Sequence, residues 1–436
     1  MLLRDSCCCP LCVDPSTKQK LFSTTDIPAT IGGTASSSDD EEFCTLRWTD
    51  DVPGFPDDHV TTLPKDMLRE FVTTGGPVAS PKPSERVTWS PDRFRRDVQD
   101  VEYEAYMSDD SVLHQALQKL HTHGLLFLTN VPESESSVSA VAERIGPLKN
   151  TFYGSTWDVR SVPQAKNVAY TSQDLAYHMD LLYMKQPPHL QFLHCIRSSS
   201  AGGASLFTDS LRAASDLFIS DMEAFTNLSK TPVNFHYDHP ESQYYHHQRP
   251  VFEMRDPLFL GLCRARNLRE MVNIAETRLG IMQRDLDITR WIDAVSWSPP
   301  FQAPFSILSA NDPSGVIRLA TERPTDVLSY HLRQWHAAAS KFHQLIRRPQ
   351  MTYERMMKPG ECVLFDNRRV LHARKAFEVG DVGKERWLRG AYLDKDPYES
   401  KMRMLRERFT TKVGGGKLEI ADDAAHKFFE AAETHT

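Results

Sequence analysis

The stretch that decides the reading is Tyr177-His178-Met179-Asp180. In a strand, or in the loop leaving it, residues two apart point to the same side, so His178 and Asp180 can converge on one point. A neutral imidazole and a carboxylate are two of the three ligands of the 2-His-1-carboxylate triad, which binds Fe(II) and leaves coordination positions open. Alone, His-x-Asp is common by chance, and most such pairs are surface polar residues. The third ligand must come from elsewhere, and the chain has 17 histidines. Asp366-Asn367-Arg368-Arg369-Val370-Leu371-His372 follows the turn Lys358-Pro359-Gly360 and the apolar run Cys362 to Phe365. That order can place His372 on a neighbouring strand. Fourteen residues further on stands Arg386, whose planar guanidinium can hold a dicarboxylate by a bidentate pair.

Outward from this centre the pattern is mixed. Ser111 to His121 has helical apolar spacing, closed by His123-Gly124, and Leu125 to Val131 follows as a buried strand. Val138, Val141, Ala142 and Ile145 form another helical stripe. Pro324 to Arg348 is predicted as a long amphipathic helix with Leu328, Leu332, Trp335, Phe342 and Leu345 on one side. Leu190 to Ile196, Cys362 to Phe365 and Leu388 to Tyr392 are strand-like. A few helices around many short strands indicate an α+β, mainly β, fold with a strand-built core. Phe235 to Arg249, rich in His and Tyr, is predicted as a loop, either solvated or facing a pocket.

The first part of the chain differs. Phe43 to Thr49 alternates like a strand, Thr34 to Glu42 is polar and acidic and predicted as a flexible loop, and Gly75 to Glu85 is rich in Gly and Pro, as at a domain boundary. The expected domains are therefore 1–90 and 96–436. Four of the 8 cysteines are Cys7, Cys8, Cys9 and Cys12. Cys7, Cys9 and Cys12 have the Cys-x-Cys-x-x-Cys spacing that can wrap one tetrahedral ion, with a fourth ligand arriving from a distance. Cys8 and Cys44 are nearby competitors.

Several stretches carry a resemblance to the γ-butyrobetaine hydroxylase and trimethyllysine hydroxylase family of Fe(II)/2-oxoglutarate dioxygenases. They are Leu3-Arg4-Asp5-Ser6-Cys7, Thr151-Phe152-Tyr153-Gly154-Ser155-Thr156-Trp157, Asn167-Val168-Ala169-Tyr170-Thr171 and His178-Met179-Asp180. Leu193-His194-Cys195, Ala201-Gly202-Gly203, Asp366 to His372 and Gly390-Ala391-Tyr392 continue the family's order over nearly the whole chain. The resemblance implies a double-stranded β-helix with flanking helices, preceded by a small zinc-binding N-terminal domain. It implies that His178, Asp180 and His372 hold iron, that Arg386 binds the distal carboxylate of 2-oxoglutarate, and that Leu193 lines that cosubstrate's pocket. It makes His59 the fourth ligand of a structural Zn(II) beside Cys7, Cys9 and Cys12. Tyr153, Trp157, Tyr170 and Tyr392 match an aromatic cage for a trimethylammonium group, whose diffuse charge ring faces attract. Asn167 matches a residue that orients the substrate. The family writes His-Thr-Asp where this chain has Met179, a residue expected to point away from the metal.

The implied activity is hydroxylation of a trimethylammonium compound, most simply γ-butyrobetaine to L-carnitine, at the expense of O2 and 2-oxoglutarate. Two departures affect the substrate's far end. Leu181 stands where the hydroxylase has a tyrosine, and Trp297 to Phe305 lacks its asparagines. Trimethyllysine or a specialised metabolite is the alternative substrate. An inactive binding protein using the zinc domain as an interaction module is the alternative of another class, disfavoured because triad and arginine are all present.

Composition excludes other classes. With 51 Lys and Arg against 58 Asp and Glu, the net charge of −7 offers no nucleic-acid face. No apolar run is long enough to span a membrane. Met1 to Cys12 carries neither a secretory signal nor an Arg-rich transit pattern, so a cytoplasmic location is expected. The family usually has sequence ahead of its Leu-Arg-Asp motif, which begins here at Leu3. A truncated start, which would leave a mitochondrial address open, is therefore also an expectation. The family is often dimeric, so a homodimer is an expectation of the resemblance alone.

Overall fold

A computed structural model describes residues 1–36, 42–74, 86–160, 172–198, 202–239, 241–255, 270, 273–274, 287–305, 324–378, 386–413 and 417–420. The chain forms two compact units, Met1–Pro83 with Thr411–Thr436, and Ser84–Thr410. The boundary thus falls earlier than 90. Trp89 explains this: its backbone N–H donates to Asp209 at 3.1 Å and its indole N–H to the His123 carbonyl at 2.6 Å, both within the larger unit. Among the described residues no helix is long and apolar enough to cross a membrane.

In the small unit, β1 (Gly32–Ser36), β2 (Phe43–Thr49) and β3 (Val60–Pro64) make an antiparallel meander. Thr34 to Ser36, expected in a loop, are strand, paired with Arg47, Leu46 and Thr45. Their side chains are exposed, so a polar edge costs nothing, while the alternating β2 supplies the hydrogen-bonding template. Among the described residues the unit's apolar cluster is Cys44, Leu46 and Leu63, with partly buried side chains such as Trp48 and Leu3 against it and Ile27 and Val52 buried apart from it. A core that small needs a staple.

In the large unit the strands are β4 (Val101–Glu102), β5 (Leu125–Thr129), β6 (Thr156–Arg160), β7 (Leu175–His178), β8 (Leu190–Arg197), β9 (Ser205–Asp209), β10 (Val233–His239), β11 (Gln243–Arg249), β12 (Phe252–Met254), β13 (Ile292–Val295), β14 (Tyr353–Arg355), β15 (Cys362–Asp366), β16 (Val370–Arg374) and β17 (Trp387–Leu393). One sheet has the order β4-β5-β15-β8-β17-β6 and the other β14-β9-β16-β7. Successive strands β6 to β9, and again β15 to β17, alternate between the two sheets. That winding is the double-stranded β-helix, or jelly roll. The sheets meet through Phe207, whose ring lies 5.8 Å from Phe127 and 5.7 Å from Phe365. All of β8 up to Ile196 is buried, because it lies between β15 and β17 inside its sheet and the helix Ser137–Glu143 packs against it. Its sequence therefore reads as a continuous apolar run rather than an alternation.

The helix Asp110–His123 ends where expected, at Gly124 with φ +76°. A Cβ there would sit 3.0 Å from the Arg369 side chain, so glycine serves both the left-handed cap and the close approach. The predicted long helix spans Pro324–Ile346, with Trp335, Phe342 and Leu345 buried, but Leu332 is exposed at the stripe's edge. The predicted loop Phe235 to Arg249 is instead the hairpin β10–β11, in register from Val233↔Arg249 to His239↔Gln243. Its period-2 signal is real: Phe235 and Tyr237 are buried while Asp238 between them and His239 is exposed. The abundance of His and Tyr conceals it, although aromatic residues favour strands.

The turn between β15 and β16 locks the frame. Arg369 (1% exposed) forks onto Asp209 (0% exposed) at 3.1 and 2.9 Å and also donates to the Thr122 and Val87 carbonyls at 2.8 and 2.7 Å. Asn367 reaches to the segment after β7, where the site begins.

Candidate active site and metal centres

His178 is the last residue of β7, and antiparallel pairing sets His372 of β16 directly opposite it. Asp180 follows two residues on. One donor atom from each of the three lies within 4.8 Å of the others. The local geometry is tightly specified. His178 Nδ1 donates to the Ala176 carbonyl at 2.8 Å, which turns Nε2 toward Asp180 Oδ1 at 3.3 Å. The other carboxylate oxygen, Oδ2, accepts from Gln191 at 2.8 Å and from the Tyr392 hydroxyl at 2.7 Å. Asn367 accepts the Asp180 backbone N–H at 2.9 Å and donates back to its carbonyl at 3.1 Å. One carboxylate oxygen is thus held and the other left to a ligand, as metal sites require. Met179 is buried on the opposite side, where its sulfur accepts from Ser296 at 3.8 Å.

The electrostatics suit a metal. Burial, and then the neighbouring His178, pushes His372 down to about 3, which keeps its imidazole neutral. Burial alone would raise the Asp180 carboxyl, but His178, His372 and the Tyr392 hydroxyl hold it well below the usual carboxylate range. Two neutral nitrogens and one carboxylate oxygen fit a ferrous ion.

Arg386 stands just before β17, is 5% exposed, and lines the same cleft as the triad. Burial lowers it to about 10, so it stays charged at neutral pH. No carboxylate is paired with it among the described residues, a costly state for a buried cation. A dicarboxylate's distal end fits this vacancy of charge. Leu193 lines the cleft too, with Ser205 and Arg374, neither of which the sequence singles out. The cleft encloses about 860 Å³ including its open mouth.

Tyr153, Trp157 and Tyr392 also line it. Trp157 of β6 lies across from Gly390, where a Cβ would come within 2.4 Å of the indole. That glycine lets Trp157 stack on Tyr392, ring centroids 3.9 Å apart at 23°. Tyr392 therefore does more than offer a ring face, since its hydroxyl holds the Asp180 carboxylate. Phe301 and Tyr183, not assigned from sequence, complete an aromatic wall, and Leu181 lines the cleft beside them. Asn167 and Tyr170 lie outside the described residues. Tyr392→Phe keeps the stack but removes the hydrogen bond to Asp180. It is expected to weaken iron affinity by about 10- to 100-fold, the usual cost of losing such support, as read by iron titration. Unchanged affinity would show that Gln191 alone suffices.

The small unit gathers Cys7, Cys9, Cys12 and His59. His59 Nε2 lies 3.6, 3.4 and 3.5 Å from the three sulfurs. Ligands at zinc bond lengths on a tetrahedron stand about 3.5 Å apart, so the spacing fits. Cys8 is exposed and Cys44 sits in the small core, so neither competes. His59 Nδ1 faces Asp51 at 2.6 Å, and Asp51 in turn pairs with Arg4. Arg4 is fully buried, donates to Cys12 Sγ at 3.2 Å and lies 4.6 and 4.5 Å from the Phe22 and Phe55 rings. A buried arginine in Leu3-Arg4-Asp5 and the supporting role of Asp51 have no signature in sequence spacing.

Comparison with known proteins agrees with this geometry. Residues 87–392 match the model of the taurine catabolism dioxygenase TauD, TfdA family. The dioxygenase str8 of Strobilurus tenacellus is 33% identical, over 93% of this chain and 84% of that protein. The γ-butyrobetaine dioxygenase of Homo sapiens is 26% identical over 93% and 90%, and the mitochondrial trimethyllysine dioxygenase of Mus musculus 26% over 92% and 81%. A family match across both sheets, together with two imidazoles, a carboxylate and an arginine converging on one cleft, makes this chain a dioxygenase of the TauD/TfdA family.

Proposed function

We propose that the protein is an Fe(II)- and 2-oxoglutarate-dependent hydroxylase of a trimethylammonium compound, most simply γ-butyrobetaine to L-carnitine. The observation that carries it is the cleft in which triad, unpaired Arg386 and tyrosine and tryptophan rings lie together. When bound, iron supplies the oxidative chemistry, coupling decarboxylation of 2-oxoglutarate to succinate with insertion of oxygen into a C–H bond. The chain's own part is placement. His178, Asp180 and His372 hold the metal, Gln191 and Tyr392 fix the carboxylate, and Arg386 anchors the cosubstrate. The apolar lining from Leu181, Leu193 and Phe301 excludes water. In the small unit, Zn(II) on Cys7, Cys9, Cys12 and His59 staples a core too small to stand alone.

A second reading is favoured by one feature. Leu181, Pro300 and Phe301 line the cleft where a substrate carboxylate would need polar partners. A less polar quaternary amine or a specialised metabolite suits that wall.

A panel of quaternary amines and neutral oxygenated compounds, assayed by succinate formation with iron present or withheld, tests these readings. Stimulation by γ-butyrobetaine is expected. Stimulation by another compound alone would replace the substrate and keep the chemistry, and no iron dependence would remove the chemistry. Arg386→Ala is expected to raise the KM for 2-oxoglutarate by roughly 30-fold or more, since losing a buried charge pair costs about 2 kcal/mol or more. An unchanged KM would remove Arg386 from the cosubstrate site.

A further inference from the structure

A second cavity stands back to back with the iron cleft. It encloses about 570 Å³ including its open mouth, and no residue lines both. Alternation along β8 separates them: Leu190 turns to the second cavity and its neighbour Gln191 to the iron cleft. Asp366 and Arg368, on either side of Asn367, also line the second cavity.

Its lining is rich in charge. The cations Arg86, Arg255, Arg368 and Lys395 face the carboxylates Asp293, Asp366 and Glu399. Those carboxylates are already committed. Asp293 is divided among three cations, 3.3 Å from Arg368, 3.5 Å from Lys395 and 3.7 Å from Arg255. Glu399 lies 3.9 Å from Lys395 and 3.6 Å from Arg403. Asp366 accepts the Arg368 backbone N–H at 2.9 Å and faces His189 at 3.8 Å, an imidazole that burial keeps neutral. Arg86 is left over. Its Nη2 donates to the Thr289 and Ile292 carbonyls, the latter at 2.8 Å, and among the described residues no carboxylate pairs with it. Burial, and then repulsion from Arg255 and Arg369, lowers Arg86 to about 10 against the pull of Asp366 and Asp209, so it stays charged at neutral pH. Its Nε and Nη1 have no acceptor among the described residues and are not sealed from solvent. Arg255 and Lys395 are each 48% exposed, which leaves the cavity reachable.

We propose that this cavity binds a small oxyanion, a carboxylate or a phosphate, between Arg86 and the more exposed Arg255 and Lys395. The ligand's oxygens take the idle N–H donors of Arg86, which a guanidinium presents as a planar fork. The same ligand gives Arg255 and Lys395 a share of charge that Asp293, divided three ways, does not supply to each. A partly buried cation without a counter-charge is costly, and an anion entering from solvent offsets that cost. The site is separate from the one that holds iron and cosubstrate, and binding there requires neither.

The test is calorimetric titration of the full chain with inorganic phosphate, succinate and citrate, at an ionic strength held constant with sodium chloride. At least one probe is expected to bind with a Kd of about 1 mM or below. Phosphate alone assigns a phosphoryl ligand, succinate or citrate alone assigns a carboxylate, and both together assign oxyanions in general. Succinate also fits the iron cleft, so the titrations are repeated on Arg386→Ala, which is expected to keep the affinity. Arg86→Gln is expected to weaken binding about tenfold or more, the cost of one charge-assisted contact. A folded Arg86→Gln that binds as tightly as wild type overturns the proposal. Should that variant fail to fold, Lys395→Met, at a half-exposed position, decides in the same way. Absence of binding by all three probes at about 10 mM, or binding that vanishes in Arg386→Ala, also overturns it. No turnover is read, so the outcome is independent of the proposed hydroxylation.

Discussion

His178→Ala is expected to abolish iron binding and all iron-dependent turnover while leaving the fold intact. The residue sits at the end of β7, directly opposite His372, and its Nε2 is the donor aimed at Asp180. Removing it leaves two ligands, one of which, Asp180, still has an oxygen turned toward an empty position. Changes to groups that merely support a ligand lower metal affinity about 10- to 100-fold, so losing a ligand must exceed that. Metal analysis of wild type should return one iron and one zinc per chain after reconstitution. The variant should lose the iron and keep the zinc, because the Cys7, Cys9, Cys12 and His59 cluster lies in the other compact unit. Hydroxylation surviving in the variant would refute the ligand assignment, and wild type without zinc would refute the small unit's metal.

Arg369→Leu is expected to cost about 3–5 kcal/mol of stability, the effect of leaving one half of a buried ion pair unpaired. Among the described residues, Asp209 would keep its carboxylate in the interior with just the Trp89 and Leu211 backbone N–H groups donating to it. The Thr122 and Val87 carbonyls would each lose the Arg369 donor, although Thr122 keeps the Val87 backbone N–H. The damage would reach the site, since the same turn carries Asn367, which grips the backbone of Asp180. Urea unfolding of the iron-free protein reads the loss. Pairing the change with Asp209→Leu should recover about half of it or more, because removing both charges leaves no stranded ion. A single variant as stable as wild type would show that water or rearrangement replaces the guanidinium.

Much of the site was legible in the chain because its signals are local or ordered. His178 and Asp180 share a strand exit, so a spacing of two is enough to put them together. The short strand and turn before His372 indicated a neighbouring strand, and β16 is that neighbour. Gly390 was visible as part of a matched stretch, but its reason, the ring of Trp157 against it, was not. The hairpin β10–β11 is hidden in the sequence because its many polar side chains mask the alternation. Its aromatic inner face only counts once Phe301 and Tyr183 are known to pack there.

What the amino-acid order determined by itself was the donor chemistry: two imidazoles and one carboxylate in the right succession, three thiols in a short span, and apolar runs of strand length. What tertiary structure alone decided was the hold on those donors. Gln191, Tyr392 and Asn367 reach Asp180 from 11, 212 and 187 residues away, and Asp51 and Arg4 back the thiolate cluster across 47. No periodicity links residues so far apart. They meet because strands of two sheets wind alternately around one core, and hydrogen bonding among buried polar groups then fixes which neighbour serves which ligand.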